Sequence, residues 1–178
     1  LYENFRAETC FFDIETTGLD ERRDRVTTVS FHRDGETTTL VAGEDLTARR
    51  VREEFAEASL LATFNGARFD VPFLETAFDL DVDTPHLDLM YPAKRIGLSG
   101  GLKPIETELG IDRDRPDLSG RDAVRLWREH ERGDETALET LVSYNREDTE
   151  NLRTLADVVC DALDDEVFVD PSGRHATN

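Results

Sequence analysis

Apolar residues recur along the chain with two different periods, and these periods predict strands and helices in turn. Compact β-prone runs predict strands over residues 9–14, 26–31, 37–41, 60–64 and 87–89. Helix-forming segments predict helices over residues 46–58, 69–78, 103–109, 122–131 and 135–163. The dipeptide Asp34-Gly35 predicts a tight hairpin between the second and third strands. A hairpin followed by alternating strands and helices indicates a mixed sheet covered by helices.

One long loop is predicted in this order of elements. The stretch 91–101 contains one proline and three glycines, which favour irregular structure. A chain of 178 residues has the length of one domain. We therefore expect a single domain over residues 1–178, with its core at about 9–163 and an acidic tail at 164–178.

The charge balance indicates the salt concentration around the protein rather than the nature of its substrate. The chain carries 40 acidic against 21 basic residues, a net charge of −19, and its only lysines are Lys94 and Lys103. Excess acid with scarce lysine is expected of a halophilic protein from a cytoplasm at very high salt. At ordinary ionic strength this charge would argue against a phosphate-rich partner. At about 1 M salt the Debye length is near 3 Å, so that argument loses most of its force.

The two cysteines and the hydropathy exclude several protein classes. Cys10 and Cys160 each lie in an apolar run, which predicts two buried reduced thiols rather than a disulfide scaffold. No apolar run approaches the roughly 18 residues of a membrane span, and no signal sequence opens the chain. We expect a soluble, cytoplasmic protein. Because the first residue is Leu1 rather than Met, the chain is also expected to be a fragment that lacks a partner domain or protein.

Two acids end the first predicted strand. Asp13 and Glu15 are two residues apart, so both carboxylates would project to one face, with Ile14 on the other. Adjacent like charges repel, and a divalent hard cation such as Mg²⁺ or Mn²⁺ would resolve that conflict. The alternative is that the strand has already ended and both acids are solvated turn residues.

A second acid interrupts an apolar helical stripe. One face of the last helix is predicted to carry, at spacings of three and four, Leu141, Tyr144, Asp148, Leu152, Leu155 and Val159. Asp148 occupies a position typical of an aliphatic residue, and a carboxylate there needs a compensating charge. The alternatives are a Tyr144–Asp148 hydrogen bond at the edge of the stripe, or a shifted register that leaves Asp148 in water.

Asp70 opens a predicted helix with Pro72 close behind it, which is equally typical of an N-cap. The preceding Asn65-Gly66 is equally typical of a turn. The local sequence therefore assigns no function to Asp70.

Order and context connect these acids to a known family. Three segments resemble, in sequence order, the motifs of the tyrosine form of the DEDD-type, DnaQ-like 3′–5′ exonucleases of the ribonuclease H-like superfamily: 11–19 (FFDIETTGL), 63–70 (TFNGARFD) and 144–148 (YNRED). Two further segments resemble the YprB-type branch most closely: 86–89 (HLDL) and 102–106 (LKPIE). The resemblance covers most of the chain, but nothing in it resembles a polymerase domain.

The resemblance implies a fold and a reaction. The fold would be α/β and ribonuclease H-like, with a mixed, mostly five-stranded sheet and helices on both faces. The reaction would be hydrolysis of phosphodiester bonds from the 3′ end of DNA or RNA. Two divalent cations, Mg²⁺ or Mn²⁺, would lie about 4 Å apart and clamp the attacking and leaving oxygens.

The resemblance also implies a role for each acid. Asp13 would bridge both ions, with Glu15 and Asp148 completing one metal site. Asp70 would serve the second ion, partly through water. Tyr144 would orient the attacking water, because a phenol with a pKa near 10 is a poor general base.

Substrate contacts are expected from two regions. By resemblance, Thr16, Gly18 and Leu19 would contact the terminal nucleotide, and Asn65 would support the site. The cations of the Gly-rich segment would contact the phosphate backbone, the alternative being an ordinary solvated loop: Lys94, Arg95 and Lys103. The arginines spaced along the helix near residue 125 are predicted to form a solvated face, and no histidine is predicted to bind metal.

Two other functions share parts of this pattern. An endonuclease or structure-specific nuclease of the same superfamily would use the same four acids. A catalytically idle module that binds nucleic acid or a partner protein would not require the acids or Tyr144.

Overall fold

The computed structural model describes residues 2–168, which form one mixed β-sheet flanked by helices. The strands are β1 (Thr9–Thr16), β2 (Val26–Arg33), β3 (Glu36–Val41), β4 (Leu60–Thr63) and β5 (His86–Asp88). Their order across the sheet is β3-β2-β1-β4-β5. β1 pairs antiparallel with β2 and parallel with β4, and β4 and β5 are also parallel. The predicted mixed five-stranded α/β sheet is confirmed.

The helices are α1 (Ala48–Ala56), α2 (Asp70–Phe78), α3 (Met90–Arg95), α4 (Leu102–Leu109), α5 (Gly120–Glu131) and α6 (Glu135–Phe168). Two short 3₁₀ turns precede β1, at Tyr2–Asn4 and Arg6–Glu8. None of the described helices is long and apolar enough to cross a membrane. Most of the predicted acidic tail, residues 169–178, lies outside the described residues.

The central strand β1 divides two cores because its side chains alternate between faces. Cys10, Phe12 and Ile14 pack with residues of α1 and α2 on one face. Phe11 packs on the other face with the apolar residues of α6. Helices therefore cover both faces, as predicted, and Asp13 and Glu15 share the face that α6 covers.

The predicted loop at 91–101 is wrong in its first half, where the chain forms α3. The backbone N–H of Met90 donates to the Asp88 carboxylate, 3.1 Å away, and that of Ala93 donates to the carbonyl of Leu89. Pro92 lies in the first turn, where a missing N–H costs no helical hydrogen bond. Proline and glycine composition alone did not reveal this short helix.

Two local predictions are confirmed. Asp34 and Gly35 form the β2–β3 turn with φ angles of 51° and 82°, the left-handed values that such a hairpin needs. Cys10 and Cys160 are both free thiols, the first buried and the second half-buried.

Candidate metal centre

The acid pair of β1 and the acid of α6 converge on one point. One carboxylate oxygen each from Asp13, Glu15 and Asp148 lie within 4.8 Å of one another. Glu15 and Asp148 are each 8% exposed, so Glu15 is not a solvated turn residue and Asp148 does not lie in water. The strand continues to Thr16, which keeps both β1 acids on the pleated surface.

Asn145 fixes the position of the Asp13 carboxylate. Its amide Nδ2 donates to Asp13 Oδ2 at 2.8 Å and to the Asp13 carbonyl at 3.1 Å. Its Oδ1 accepts from the hydroxyls of Thr28 and Ser30, at 3.0 and 2.9 Å. Thr28 and Ser30 lie on β2 directly opposite Glu15 and Asp13. Because Asn145 is fully buried and bonded at both ends, it clamps α6 to β1, which carries the acids, and to β2 beside it.

Asp70, at the start of α2, lies beside the acid pair of β1. It is 4% exposed and is the first residue of α2. Its Oδ1 accepts from the backbone N–H of Ile14 at 3.1 Å, so its carboxylate lies beside β1 rather than serving as a side-chain N-cap. The N-cap position belongs to Phe69.

Tyr144 and Asp148 occupy the buried stripe of α6, as the periodicity predicted. Tyr144 is 5% exposed, and Leu141, Leu152 and Leu155 of the same stripe are fully buried. The alternative register that placed Asp148 in water is wrong. Both side chains belong to the face of α6 that packs on β1 and β2.

Burial and mutual repulsion disfavour ionisation of these acids. Loss of water around the carboxyl raises the pKa of Asp13 to about 7. Burial, followed by the charges of Asp13 and Asp70, raises the pKa of Glu15 well above its usual range. Burial and then Asp13 raise the pKa of Asp70 in the same way. Burial, with Glu15 next, also raises the pKa of Tyr144, so this phenol stays protonated.

Arg113 is a site residue that the sequence did not reveal. It lies between α4 and α5, and its side chain is 5% exposed. Its guanidinium contacts the carboxylates of Glu106 and Asp148, and its Nε lies 3.7 Å from Glu147. No local signal could have found it, because Arg113 stands in a polar loop among ordinary charged residues.

The three cations predicted to bind phosphate separate into two groups. Lys103 lies inside the site, with its Nζ 4.9 Å from the centre of the Tyr144 ring. That Nζ is buried and has no hydrogen-bond partner among the described residues. Burial, with Arg113 next, lowers the pKa of Lys103. Lys94 and Arg95 are exposed on α3, outside the buried acid cluster.

A cleft of about 520 Å³ opens beside the acids. Glu15, Thr16 and Gly18 form one wall, together with Leu19, whose side chain is 85% exposed. The lining also includes Phe69 and the start of α5, with Arg121. Arg121 is one of the arginines whose helical spacing predicted a solvated face. Arg125 on the same helix forms ion pairs with Asp122 and Glu129, which confirms the predicted solvated face at that position. Arg121 instead lines the cleft.

Asp88, within the segment 86–89, holds the turn that precedes Asp70, a role that the sequence analysis did not assign to it. Its carboxylate accepts from the backbone N–H groups of Asn65, Ala67 and Met90, at 2.7, 3.1 and 3.1 Å. Asn65 has a φ of 63°, a left-handed conformation that asparagine tolerates. Because this turn leads into α2, the backbone conformation of Asn65 helps to place Asp70 at the start of that helix.

These residues fit a hard divalent cation. The cluster consists of carboxylates, the ligands that Mg²⁺ and Mn²⁺ prefer. A cation would also offset the burial that raises the pKa values of Asp13 and Glu15, and the repulsion by Asp13 and Asp70 that further raises that of Glu15. Among the described residues Asp148 Oδ1 has no hydrogen-bond partner, and it is in contact with the Arg113 guanidinium.

Solved structures of similar fold include nucleases. An apo nuclease shares 22% identity over 93% of this chain and 77% of its own, with a TM-score of 0.67. Brucella melitensis NrnC bound to pGG shares 23% identity over 93% of this chain and 78% of its own, with a TM-score of 0.66. The same NrnC with bound Mg²⁺ gives a TM-score of 0.65 at 22% identity over the same shares.

A polymerase contains the same fold as one of its parts. The family B DNA polymerase from Pyrobaculum calidifontis shares 19% identity over 85% of this chain but only 24% of its own, with a TM-score of 0.70. Among curated protein sequences, none matches the chain significantly.

The family comparison covers most of the chain. The model of the RNase H superfamily matches residues 10–160, from the first residues of β1 to the last third of α6. This range contains the four acids, Tyr144 and every strand of the sheet. The chain belongs to the RNase H superfamily.

Proposed function

We propose that this protein is a metal-dependent nuclease that removes nucleotides from the 3′ end of a nucleic acid. One observation carries the proposal. Carboxylates from β1 and α6, far apart in sequence, meet within 4.8 Å, with Asp70 beside them. Buried carboxylates in such a group are costly unless a cation compensates them.

Asp13, Glu15 and Asp148 would hold a divalent cation, and Asp70 lies where it can serve a second one. Bound cations would supply Lewis-acid stabilisation of the phosphate charge and a more acidic water. Asn145 keeps the Asp13 carboxylate in one orientation through its 2.8 Å hydrogen bond, which preorganises the ligand set.

Tyr144 acts by orientation rather than by proton abstraction. Burial and the nearby carboxylates raise its pKa, so Oη remains a hydroxyl at neutral pH. A protonated phenol donates a hydrogen bond and can position a water near the acids. The positive charge of Lys103 over its ring holds the ring in place.

The cleft beside Glu15 suits the terminal nucleotide. The exposed side chain of Leu19 offers an apolar contact for a base, and Phe69 and Arg121 line the same cleft. Lys103, whose Nζ lies over the Tyr144 ring, supplies a cation for phosphate. Lys94 and Arg95, exposed on α3, would contact the backbone of the nucleic acid at a greater distance from the bond that is cleaved.

Two structures of one neighbour support this function. NrnC is described with bound Mg²⁺ and bound to pGG, and it shares this fold over 93% of the chain. The exonuclease direction rests on the three motifs around Asp13, Asp70 and Tyr144. The resemblance includes no polymerase domain, so it gives no support for proofreading by this chain.

The test is digestion of DNA and RNA oligonucleotides labelled at either end, in Mg²⁺ and Mn²⁺, at low and molar salt. We expect 5′-labelled substrates to give a ladder that shortens from the 3′ end. Asp13→Asn removes one cluster charge with little change in shape and should abolish the ladder. Asp112→Asn is the matched control, because Asp112 is exposed on the loop after α4.

Other product patterns would overturn the proposal. Internal fragments from a 3′-blocked or circular substrate would indicate an endonuclease with the same acids. Substrate binding without cleavage under every condition would indicate an idle binding module. The DNA and RNA arms identify the substrate in either case.

A further inference from the structure

Arg113 places a buried positive charge directly on the candidate metal centre. Its side chain is 5% exposed and contacts Asp148 through Nη2 and Glu106 through Nη1. Glu106 is fully buried and also accepts from Asn151 at 3.0 Å. A buried guanidinium is stable only when carboxylates compensate it, and one of those here belongs to the metal cluster.

The contact with Asp148 differs from the contact with Glu106. Nη1 donates a hydrogen bond to Glu106. Among the described residues, neither Arg113 Nη2 nor Asp148 Oδ1 has a hydrogen-bond partner, although the two groups touch. Glu106 holds the other guanidinium nitrogen, so it would retain the arginine if the contact with Asp148 separated.

A divalent cation and this guanidinium compete for the same carboxylate. An oxygen of Asp148 lies within 4.8 Å of oxygens of Asp13 and Glu15, so a cation bound among them would stand close to Nη2. Like charges at that distance repel strongly in a site of low polarity.

We propose that Arg113 is the internal counter-ion of the acid cluster, neutralising Asp148 in the metal-free protein and releasing it when a divalent cation binds. This inference rests on the proposed function, because it requires the cluster to be a metal centre. After release, Glu106 and Glu147 still hold the arginine, so the loop between α4 and α5 keeps its place.

The first experiment measures Mn²⁺ affinity by calorimetry on protein stripped of metal. Arg113→Gln should unfold at a lower temperature without metal, because Asp148 and Glu106 lose their counter-charge. It should bind Mn²⁺ roughly fivefold more tightly or better, the low end of typical coupling between sites. Its melting temperature should rise more on Mn²⁺ addition than that of the parent protein.

Two control variants separate displacement from general charge effects. Arg115→Gln removes the same charge from an exposed position paired with Asp117, and should leave Mn²⁺ affinity unchanged. Lys103→Gln removes a charge beside Tyr144 without breaking a contact to Asp148. Its gain in affinity measures the Coulomb effect alone and should be smaller than that of Arg113→Gln.

The second experiment needs no variant and so does not depend on folding of Arg113→Gln. The Nε–H signal of Arg113 is followed by NMR in the parent protein as Mg²⁺ is added. We expect it to shift in step with saturation, while the Arg115 signal stays fixed. An Arg113 signal that does not move while Mg²⁺ saturates would overturn the counter-ion role and leave the proposed function intact.

The remaining outcomes are equally decisive. Weaker Mn²⁺ binding by Arg113→Gln would mean that the arginine orients Asp148 for the metal instead of competing with it. Equal gains in Mn²⁺ affinity for Arg113→Gln and Lys103→Gln would show that removal of any nearby positive charge causes the effect, rather than loss of the contact with Asp148. Failure of the parent protein to bind either metal would overturn the proposed function and this inference together.

Discussion

At the scale of single residues, Tyr144 and Asp148 lie one helical turn apart on α6 but are expected to do different things. Asp148→Ala removes a cluster carboxylate and should weaken Mn²⁺ binding and cleavage together. Tyr144→Phe keeps the buried ring and deletes only the hydroxyl. It should leave Mn²⁺ affinity unchanged and lower the single-turnover rate by about 10²–10⁴, the range for a group that handles a proton or positions water. Equal loss of metal affinity in both variants would make Tyr144 structural.

Asn145 is the other residue whose substitution should be costly. Asn145→Ala leaves the Thr28 hydroxyl without its acceptor, while Ser30 keeps its contact with Thr39, and it frees the Asp13 carboxylate. Each unsatisfied buried group costs about 1–3 kcal/mol, so chemical denaturation should show a loss of at least that size. Ser143→Ala, exposed on the same helix, should change stability little. If Asn145→Ala bound Mn²⁺ as tightly as the parent protein, Asn145 would not be needed to hold the Asp13 carboxylate in position.

At the scale of elements, the turn between β4 and α2 depends on close approach at Gly66. A Cβ added there would overlap the buried Thr63 side chain, which itself accepts a hydrogen bond from the Gly66 backbone N–H at 3.1 Å. Gly66→Ala should therefore lower the melting temperature and displace Asp70. Gly120→Ala, where a Cβ meets nothing, should be neutral or stabilising by up to about 1 kcal/mol. Similar melting temperatures for both variants would show that the turn adapts.

Strand β5 contributes a pH dependence through His86. Burial lowers the pKa of His86, partly opposed by Asp88, and its Nε2 lies 2.8 Å from Thr63 Oγ1. The unfolded chain, with a histidine pKa of about 6.5, therefore binds the proton better than the folded protein. This contribution to stability is present above about pH 6.5 and is lost as pH falls below it. In urea unfolding, His86→Gln should lose less stability than the parent between pH 7 and 5; parallel losses would contradict the assignment.

At the scale of the whole molecule, the net charge of −19 makes stability depend on salt. At about 0.1 M salt the Debye length is near 10 Å, and repulsion between surface carboxylates opposes folding; near 1 M it is about 3 Å. The melting temperature should therefore rise between these concentrations. Sodium, potassium and choline chloride should act alike if screening is the cause. A melting temperature that stays flat in all three would contradict the halophilic interpretation of the composition.

The amino-acid order by itself determined which side chains face inward. Alternation in β1 placed Asp13 and Glu15 on one face and Ile14 on the other, and the 3.6-residue period of α6 placed Tyr144 and Asp148 on a buried stripe. The Asp34-Gly35 turn followed from the left-handed backbone that such a hairpin requires. These properties are local, so a single sequence contains them.

Tertiary structure alone decided which charges and hydrogen bonds meet. Asn145 reaches Asp13 across 132 residues of sequence, and Asp88 reaches the turn at Asn65 from another strand. Arg113 lies in a loop with no periodic pattern, and only the packing of α4 against α6 brings it to Asp148. Burial periodicity fixes the direction of a side chain but not its distant partner. The sequence alone therefore identified the acids of the site. The residues that orient and neutralise those acids were identified only from the tertiary structure.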